Sequence, residues 1–259
     1  MDVKLNYIVG TSGYSFADWF GPFYPEGLRQ AEMFDFYAAR FAAVELNFTY
    51  YRMPSPRTLA RMGEKAPPGF LFWVKANQQT THAQDRSVAA AFLDGLSPLR
   101  ESNTLAGVLV QFPQSFHRTV ANRKYLADAL GDLAGPPLAV EFRHRSWDYP
   151  ATYDGLRGRG VTLVVPDVPP LPDLFAPPPT ATTRTGYFRL HSRNADRWYA
   201  GGAERYDYHY SDAELAAAAE AWEQLSGSLD AVHVFFNNCH RGQAAENAAA
   251  FRRIVGQIS

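Results

Sequence analysis

The chain has 259 residues with 46% hydrophobic and 14% aromatic content, which suits one sizeable buried core and excludes wholesale disorder. A formal charge of -1 provides no global field that would recruit nucleic acid or an anionic membrane. The single cysteine, Cys239, excludes an internal disulfide and a cysteine-rich zinc site, and reads as a buried thiol rather than a reactive one.

The N-terminal stretch MDVKLNYIVGTSGYSF has no apolar core and no small-residue cleavage pattern, and no apolar run reaches the length of a membrane span. A soluble, cytoplasmic protein that does not enter membranes is expected.

Short apolar runs alternate with longer helix-like stretches, the pattern of repeated βα units. In chain order, strands are expected at 7–11, 43–49, 70–77, 107–112, 138–143, 161–165, 186–191 and 231–237. Helices are expected between and after them at 28–40, 55–65, 87–100, 122–132, 152–157, 212–225 and 243–258. Ser55 before Pro56, and Ser211 or Asp212 before Ala213, supply helix starts. Gly63, Gly131, Gly158 and Gly227 lie at or near helix ends, where a left-handed residue is wanted. Residues 166–183 break the pattern. They carry seven prolines, so the sixth crossover is expected to be a loop with at most a short helical turn.

Eight strands with seven helices predict an α/β fold: a single TIM-type (β/α) eight-stranded barrel over 1–259 with a degraded, proline-rich sixth crossover. An open Rossmann-like sheet is the alternative, but GTSG after the first strand is too short for a dinucleotide fingerprint, and no cofactor is predicted.

Strand alternation then sorts the polar residues. Val44, Leu46 and Phe48 oppose Glu45 and Asn47, and Phe72 and Val74 oppose Lys75 and Asn77. Val108, Val110 and Phe112 oppose Gln111, and Val140 and Phe142 oppose Glu141 and Arg143. Phe188 and Leu190 oppose Arg189 and His191, and Val232, Val234 and Phe236 oppose His233, Phe235 and Asn237. With the apolar face against the helices, charges collect inside the barrel toward the strand C-termini, where barrel active sites are built. Two explanations compete: a ligand cleft, or a self-satisfied ion-pair network plugging the barrel.

The segments WFGPFYP, VELNFTYYRMPSP, FWVKANQQTTH, VLVQFP, VEFRHRSW, FRLHSRNADRWY and FNNCHRGQAAENA resemble, in that order, the motifs of the YecE-like proteins, the family called domain of unknown function 72. The resemblance spans nearly the whole chain and implies a TIM-type barrel. It implies no activity.

Several chemistries fit these residues. Glu141 and Asp167, at the ends of neighbouring strands, can form the carboxylate pair of glycoside hydrolysis, although Arg143 offers Glu141 a structural partner. Lys75 can form a Schiff base or simply pair with Glu45; His191 can act as general acid/base or as a hydrogen-bonded pocket residue. No metal is expected, because no ligand spacing such as HExxH appears. Gly242 starts the last helix, where phosphate can bind in barrels, with Asn237, Asn238, Arg193, Arg197 and Arg241 nearby. Tyr14, Phe20, Tyr24, Tyr50, Tyr51, Trp198, Tyr199, Tyr206 and Tyr208 are aromatic candidates for a polar ligand, while Trp19 and Trp147 are expected to pack the loops.

Three functions follow. The first is an enzyme of hydrolase, lyase or isomerase type acting on a small polar or phosphorylated, sugar- or nucleoside-like ligand. In it Glu141, Asp167, Lys75 and His191 do the chemistry and Glu45, Asn47, Asn77, Gln111, Arg143, Arg189 and Asn237 bind. The second is a non-catalytic binding or scaffolding barrel. The third, disfavoured by the charge balance, is a protein that binds nucleic acid as single strands or flipped bases.

Overall fold

A computed structural model describes residues 4–200 and 202–258. Eight strands run parallel in sequence order: β1 (Tyr7–Ser12), β2 (Ala43–Leu46), β3 (Leu71–Lys75), β4 (Leu105–Gln111), β5 (Leu138–Glu141), β6 (Thr162–Asp167), β7 (Thr185–Leu190) and β8 (Ala231–Phe236). β8 pairs back onto β1, so the sheet closes into a barrel and has no exposed edge. The helices are α1 (Met33–Ala38), α2 (Phe48–Tyr51), α3 (Pro56–Lys65), α4 (Gln78–Thr81), α5 (Ala89–Gly95), α6 (Ser97–Glu101), α7 (Val120–Asp132), α8 (Pro150–Arg157), α9 (Asp212–Glu223) and α10 (Gln243–Ile254).

Alternation along the strands sets what fills each face. Val44, Leu46, Phe72, Val74, Val108, Val110, Val140, Phe188, Val232 and Val234 lie outside, packed under the helices. Ala43, Trp73, Leu109, Ala139, Val164, Tyr187 and Phe235 fill the bore, with Ile8, Leu71 and Ala106 against them. The bore is a packed core with large rings at its middle, as close packing of a small barrel demands. The Trp73 indole donates to His233 Nδ1 at 3.1 Å, which satisfies both polar atoms inside this apolar layer.

Several elements end earlier than their apolar runs, each for a local reason. Asn47 turns into helical backbone (φ -102, ψ -13) and starts α2, so β2 stops at Leu46 rather than at residue 49. The Asn77 side chain accepts from Gln79 N and caps α4, which ends β3 at Lys75. The stretch 87–100 forms two short helices, because Pro98 sits in the first turn of α6. Ser55 and Ser211 cap α3 and α9 as their types favour, with Glu214 completing a capping box.

The expected left-handed glycines are a correction. Gly63, Gly131, Gly158 and Gly227 have no positive φ; Gly160 and Gly256, just past α8 and α10, carry φ +63 and +75 instead. The chain continues one short turn beyond each apolar stripe before it reverses. The sixth crossover is a loop as expected, with no helix between β6 and β7 among the described residues. Its Phe175 N donates to Arg143 O, and its Asp173 O accepts from Arg145 N, both at 3.0 Å. The proline-rich segment therefore braces the chain leaving β5.

Gly10 sits where a methyl carbon would lie 2.0 Å from the Ala43 carbonyl oxygen, whereas Gly131 in α7 faces open space. Gly10→Ala is expected to destabilise the protein by about 1–3 kcal/mol or more, and Gly131→Ala to stabilise it by about 0.5–1 kcal/mol. Urea unfolding of the two variants checks this. Equal midpoints would contradict the close approach of β1 and β2.

Candidate active site

The upper bore is built around one side chain. Arg189 of β7 is 1% exposed, and its guanidinium spans the barrel to two buried carboxylates on other strands. Its Nη2 donates to Glu45 Oε1 of β2 at 2.6 Å and its Nη1 to Glu141 Oε2 of β5. The Tyr187 hydroxyl donates to the second oxygen of Glu45 at 2.7 Å. Arg143, just past β5, brings Nε to 2.5 Å from Glu141 Oε1. Two guanidiniums thus balance two carboxylates, with Arg189, Glu45 and Glu141 out of reach of water and Arg143 at the edge of the network.

Electrostatics follow from that arrangement. Burial alone would raise the Glu141 carboxyl, but the Arg143 and Arg189 guanidiniums and then His191 hold it well below the usual carboxylate range. Burial pushes the Tyr187 hydroxyl well above its ordinary value, and Glu45 adds to that. His191 is fully buried, with Nε2 3.4 Å from Glu141 Oε1 and Nδ1 2.9 Å from Asn237 Nδ2. The amide can only donate there, so Nδ1 accepts and Nε2 carries the proton. Desolvation, then the Arg143 charge, lowers this histidine to about 3, although Glu141 opposes them. It is a neutral ring beside Glu141, with no formed hydrogen bond from Nε2 to that carboxylate.

Above the network lies a cleft of about 480 Å³ at the C-terminal ends of the strands, a size suited to a small molecule. Lys75 and Arg143 form its inner wall with Gln111, and Tyr50, Trp198 and Tyr206 supply rings. Tyr51 and Tyr199 stand exposed at the rim. His82, Gln114 and Arg205 complete the polar lining, and no carboxylate lines the cleft among the described residues. Arg205 Nε donates to the Trp198 carbonyl at 2.7 Å, and its guanidinium carbon lies 5.2 Å from the Trp198 ring centroid.

Lys75 differs from the charged groups of the network below it. Its Nζ lies 4.5 Å from the Tyr50 ring centroid and makes no ion pair among the described residues. The expected partner Glu45 is taken by Arg189 and Tyr187. Desolvation, then the Arg189 charge, lowers the Lys75 amine from 10.5 to about 7, against the pull of Glu141 and Glu45.

The structure separates the proposed carboxylate pair. Asp167 ends β6 on the outward parity shared by Leu163 and Val165, and its oxygens accept from Arg193 Nη2 at 2.7 Å and Tyr210 Oη at 2.8 Å. Glu141 is sealed below the cleft, so the two-carboxylate geometry of glycoside hydrolysis is absent from these residues. Asn77 and Asn238 are structural. Asn77 donates to Thr49 O, and Asn238 donates to Tyr208 O and Asn247 Oδ1. Asn47 lies at the start of α2 with Oδ1 buried, and Tyr14 packs on Phe34 and Tyr37; neither lines the cleft.

Around Gly242, which has φ +81, the loop is already engaged. The Arg241 N–H donates to an Asp18 oxygen at 2.7 Å, and a methyl on Gly242 would meet Pro22 at 2.9 Å. Arg193 pairs with Asp167 and Glu214, and Arg197 with Asp207. Trp19 and Trp147 pack the loops as expected, donating to Cys239 O and Phe116 O. Burial pushes the half-buried Cys239 thiol well above its ordinary value, which suppresses its reactivity.

Sequence reasoning missed Tyr187, Arg205 and His82. Tyr187 shares the inward parity of Arg189 and was findable on that ground. His82 returns to the cleft through the single turn of α4, and Arg205 through a 3-10 turn over Gly202–Tyr206; neither leaves a periodic signal.

A polar cleft over the mouth of a parallel eight-stranded barrel is the site shared by TIM-barrel proteins that act on small ligands. The family model described as protein of unknown function DUF72 matches residues 8–258, and this chain belongs to that family. It is similar to the UPF0759 protein YunF of Bacillus subtilis (strain 168), with 30% identity over 92% of this chain and 91% of that protein. A crystal structure of a DUF72 family protein from Thermotoga maritima MSB8 superposes with a TM-score of 0.90, at 43% identity, covering 96% of this chain and 99% of the other. A DUF72 family protein from Enterococcus faecalis V583 does so with 0.84 at 29% identity, covering 98% and 96%. Among the described residues no helix is long and apolar enough to cross a membrane.

Two predictions follow from the buried network. Glu141→Gln leaves Arg189 and Arg143 under-compensated and is expected to cost about 3–5 kcal/mol in chemical unfolding; unchanged stability would contradict the ion pairing. His191 and His233 stay neutral when folded until about pH 3 and about pH 4, while the unfolded chain protonates near 6.5. Their contribution is therefore complete above about pH 6.5 and is lost as pH falls from there toward 3–4, at about 1.4 kcal/mol per pH unit per histidine. Urea midpoints between pH 7.5 and 5 should fall less steeply in His233→Gln than in the parent.

Proposed function

We propose that this chain is an enzyme whose cleft takes a small ligand bearing phosphate or carboxylate, with lyase or isomerase chemistry favoured over hydrolysis. One observation carries this reading: Lys75, Arg143 and Arg205 line the cleft, and no acidic side chain does so among the described residues. Glu45 and Glu141 are already neutralised below by Arg189 and Arg143, so the surplus positive charge faces the ligand. An anion entering this space faces Lys75, Arg143 and Arg205 and meets little opposing charge.

The remaining lining fits the same reading. Gln111 offers a polar head, and the Tyr50, Trp198 and Tyr206 rings can cover the carbon skeleton. Glu141 and His191 serve as positioning residues for Arg143 and Arg189. A cleft of about 480 Å³ favours a small molecule over a strand of nucleic acid, which would need a longer groove of stacked rings and cations. A cytoplasmic setting, where phosphorylated and carboxylated metabolites are abundant, agrees with it.

Calorimetric titration with inorganic phosphate, pyrophosphate and citrate, each at low and moderate salt, tests the proposal. At least one anion is expected to bind with a saturable heat that weakens with salt, and Lys75→Met is expected to weaken it roughly tenfold, or about 1.4 kcal/mol. Absence of binding by all three, together with binding of a neutral sugar or nucleoside, would overturn it.

A further inference from the structure

We infer that Lys75 is a covalent nucleophile whose Nζ forms an imine with the carbonyl carbon of a small anionic carbonyl compound, an oxo acid or a phosphorylated ketone or aldehyde. This rests on the cleft being an anion site and names the reactive half of its ligand.

The geometry sets out the parts. Lys75 is the last residue of β3, and its backbone is pinned on both sides: the Thr49 hydroxyl donates to Lys75 O at 2.6 Å, and Ala76 N donates to Leu109 O at 2.8 Å. The side chain therefore leaves a fixed point at the barrel mouth, where catalytic groups of such barrels sit. Its Nζ faces the Tyr50 ring instead of a carboxylate, so no ion pair among the described residues must break before the amine can react. Arg143 shares the wall, and only its Nε is engaged among the described residues; its two terminal nitrogens are available to grip an anionic group. A ligand held there by its phosphate or carboxylate presents a neighbouring carbonyl to Lys75.

The electrostatics agree with the geometry. An amine reacts only when neutral, and desolvation, then the nearby Arg189 charge, with a smaller part from Arg143, disfavours its cation. At pH 7 an ordinary lysine is neutral in roughly one molecule in 2,500, whereas a group lowered to about 7 is neutral in half of them.

The step balances without an added redox partner. The Nζ lone pair bonds to the carbonyl carbon, the C=O π pair moves to oxygen, and a proton passes from nitrogen to that oxygen to give the carbinolamine. The hydroxyl then takes a proton from solvent and leaves as water, while the nitrogen lone pair closes the C=N bond. The resulting iminium draws electrons from the adjacent carbon, which serves carbon–carbon cleavage or proton migration alike.

The chain has four lysines, Lys4, Lys65, Lys75 and Lys124, so trapping is simple to read. The full chain is incubated at pH 7 with sodium cyanoborohydride and one of three probes: pyruvate, dihydroxyacetone phosphate or uncharged dihydroxyacetone. Hydride transfer from the borohydride converts any iminium to a stable secondary amine, and peptide mass mapping locates it. Label at Lys75 roughly tenfold or more above the other three lysines is expected with pyruvate or dihydroxyacetone phosphate. Which of the two labels separates a carboxylate ligand from a phosphate one, and inorganic phosphate should suppress it. In Lys75→Arg this label should vanish while that on Lys4, Lys65 and Lys124 is unchanged.

Anion binding by calorimetry without preferential label at Lys75 would overturn the imine and leave the anion reading standing. Equal label from the charged and uncharged ketones would keep Lys75 as the nucleophile and overturn its anionic substrate class. Neither binding nor label would overturn both.

Discussion

The fork of Arg189 between Glu45 and Glu141 is the constraint on which the upper barrel depends. Strands that are not neighbours in the sheet are tied through one guanidinium, across a space where most barrels place branched aliphatic side chains. An isolated charge in that position would cost several kcal/mol, so the three groups are viable only together, with the Tyr187 hydroxyl bonded to the second Glu45 oxygen and the Arg143 charge beside Glu141. The two competing explanations for the inward charges are thereby reconciled by depth. The lower tier is an ion-pair plug, and the cleft lies above it.

That division decides which groups remain free to act. Carboxylates that look catalytic by type are fixed: Glu141 by two arginines, and Asp167 by Arg193 and Tyr210 on the outer side. His191, kept neutral by desolvation and the Arg143 charge, sits between Asn237 and Glu141. Lys75 is the residue on the inner wall whose charge the plug does not balance, and desolvation together with the plug's cations leaves its amine neutral in about half of the molecules at pH 7. A neutral amine beside Arg143 and Arg205 gives the cleft both a nucleophile and an electrostatic grip.

The sequence carried the strand positions, the closed barrel and the inward or outward sense of most strand residues, because period-two alternation and packing under helices act locally. It carried the inward cluster for the same reason: Glu45, Lys75, Gln111, Glu141 and Arg189 all follow from parity. Partner choice was not legible. Whether Glu45 meets Lys75 or Arg189 depends on how far each side chain reaches across the bore, and adjacency in the sheet misled. Asp167 failed at a strand end, where one residue of parity separates the cleft from the outer shell. Asn47 and Asn77 were read as ligand groups by strand parity and Asn238 by its place before the last helix, yet Asn77 caps α4 and Asn238 ties loop segments together, roles that only the folded loops create. Arg205 and His82 arrive on single turns too short to leave a periodic trace.

The protonation state of Lys75 is the most direct test of these ideas, and four lysines make it readable by NMR. With lysine labelled at Cε and Nζ, and the Lys75 resonance assigned by its loss in Lys75→Arg, a pH titration reports this amine alone. An inflection near pH 7 is expected from its desolvation and its cationic neighbours. An inflection near the ordinary lysine value of about 10.4 would mean that Lys75 is a solvated cation, and the cleft would lose its nucleophile.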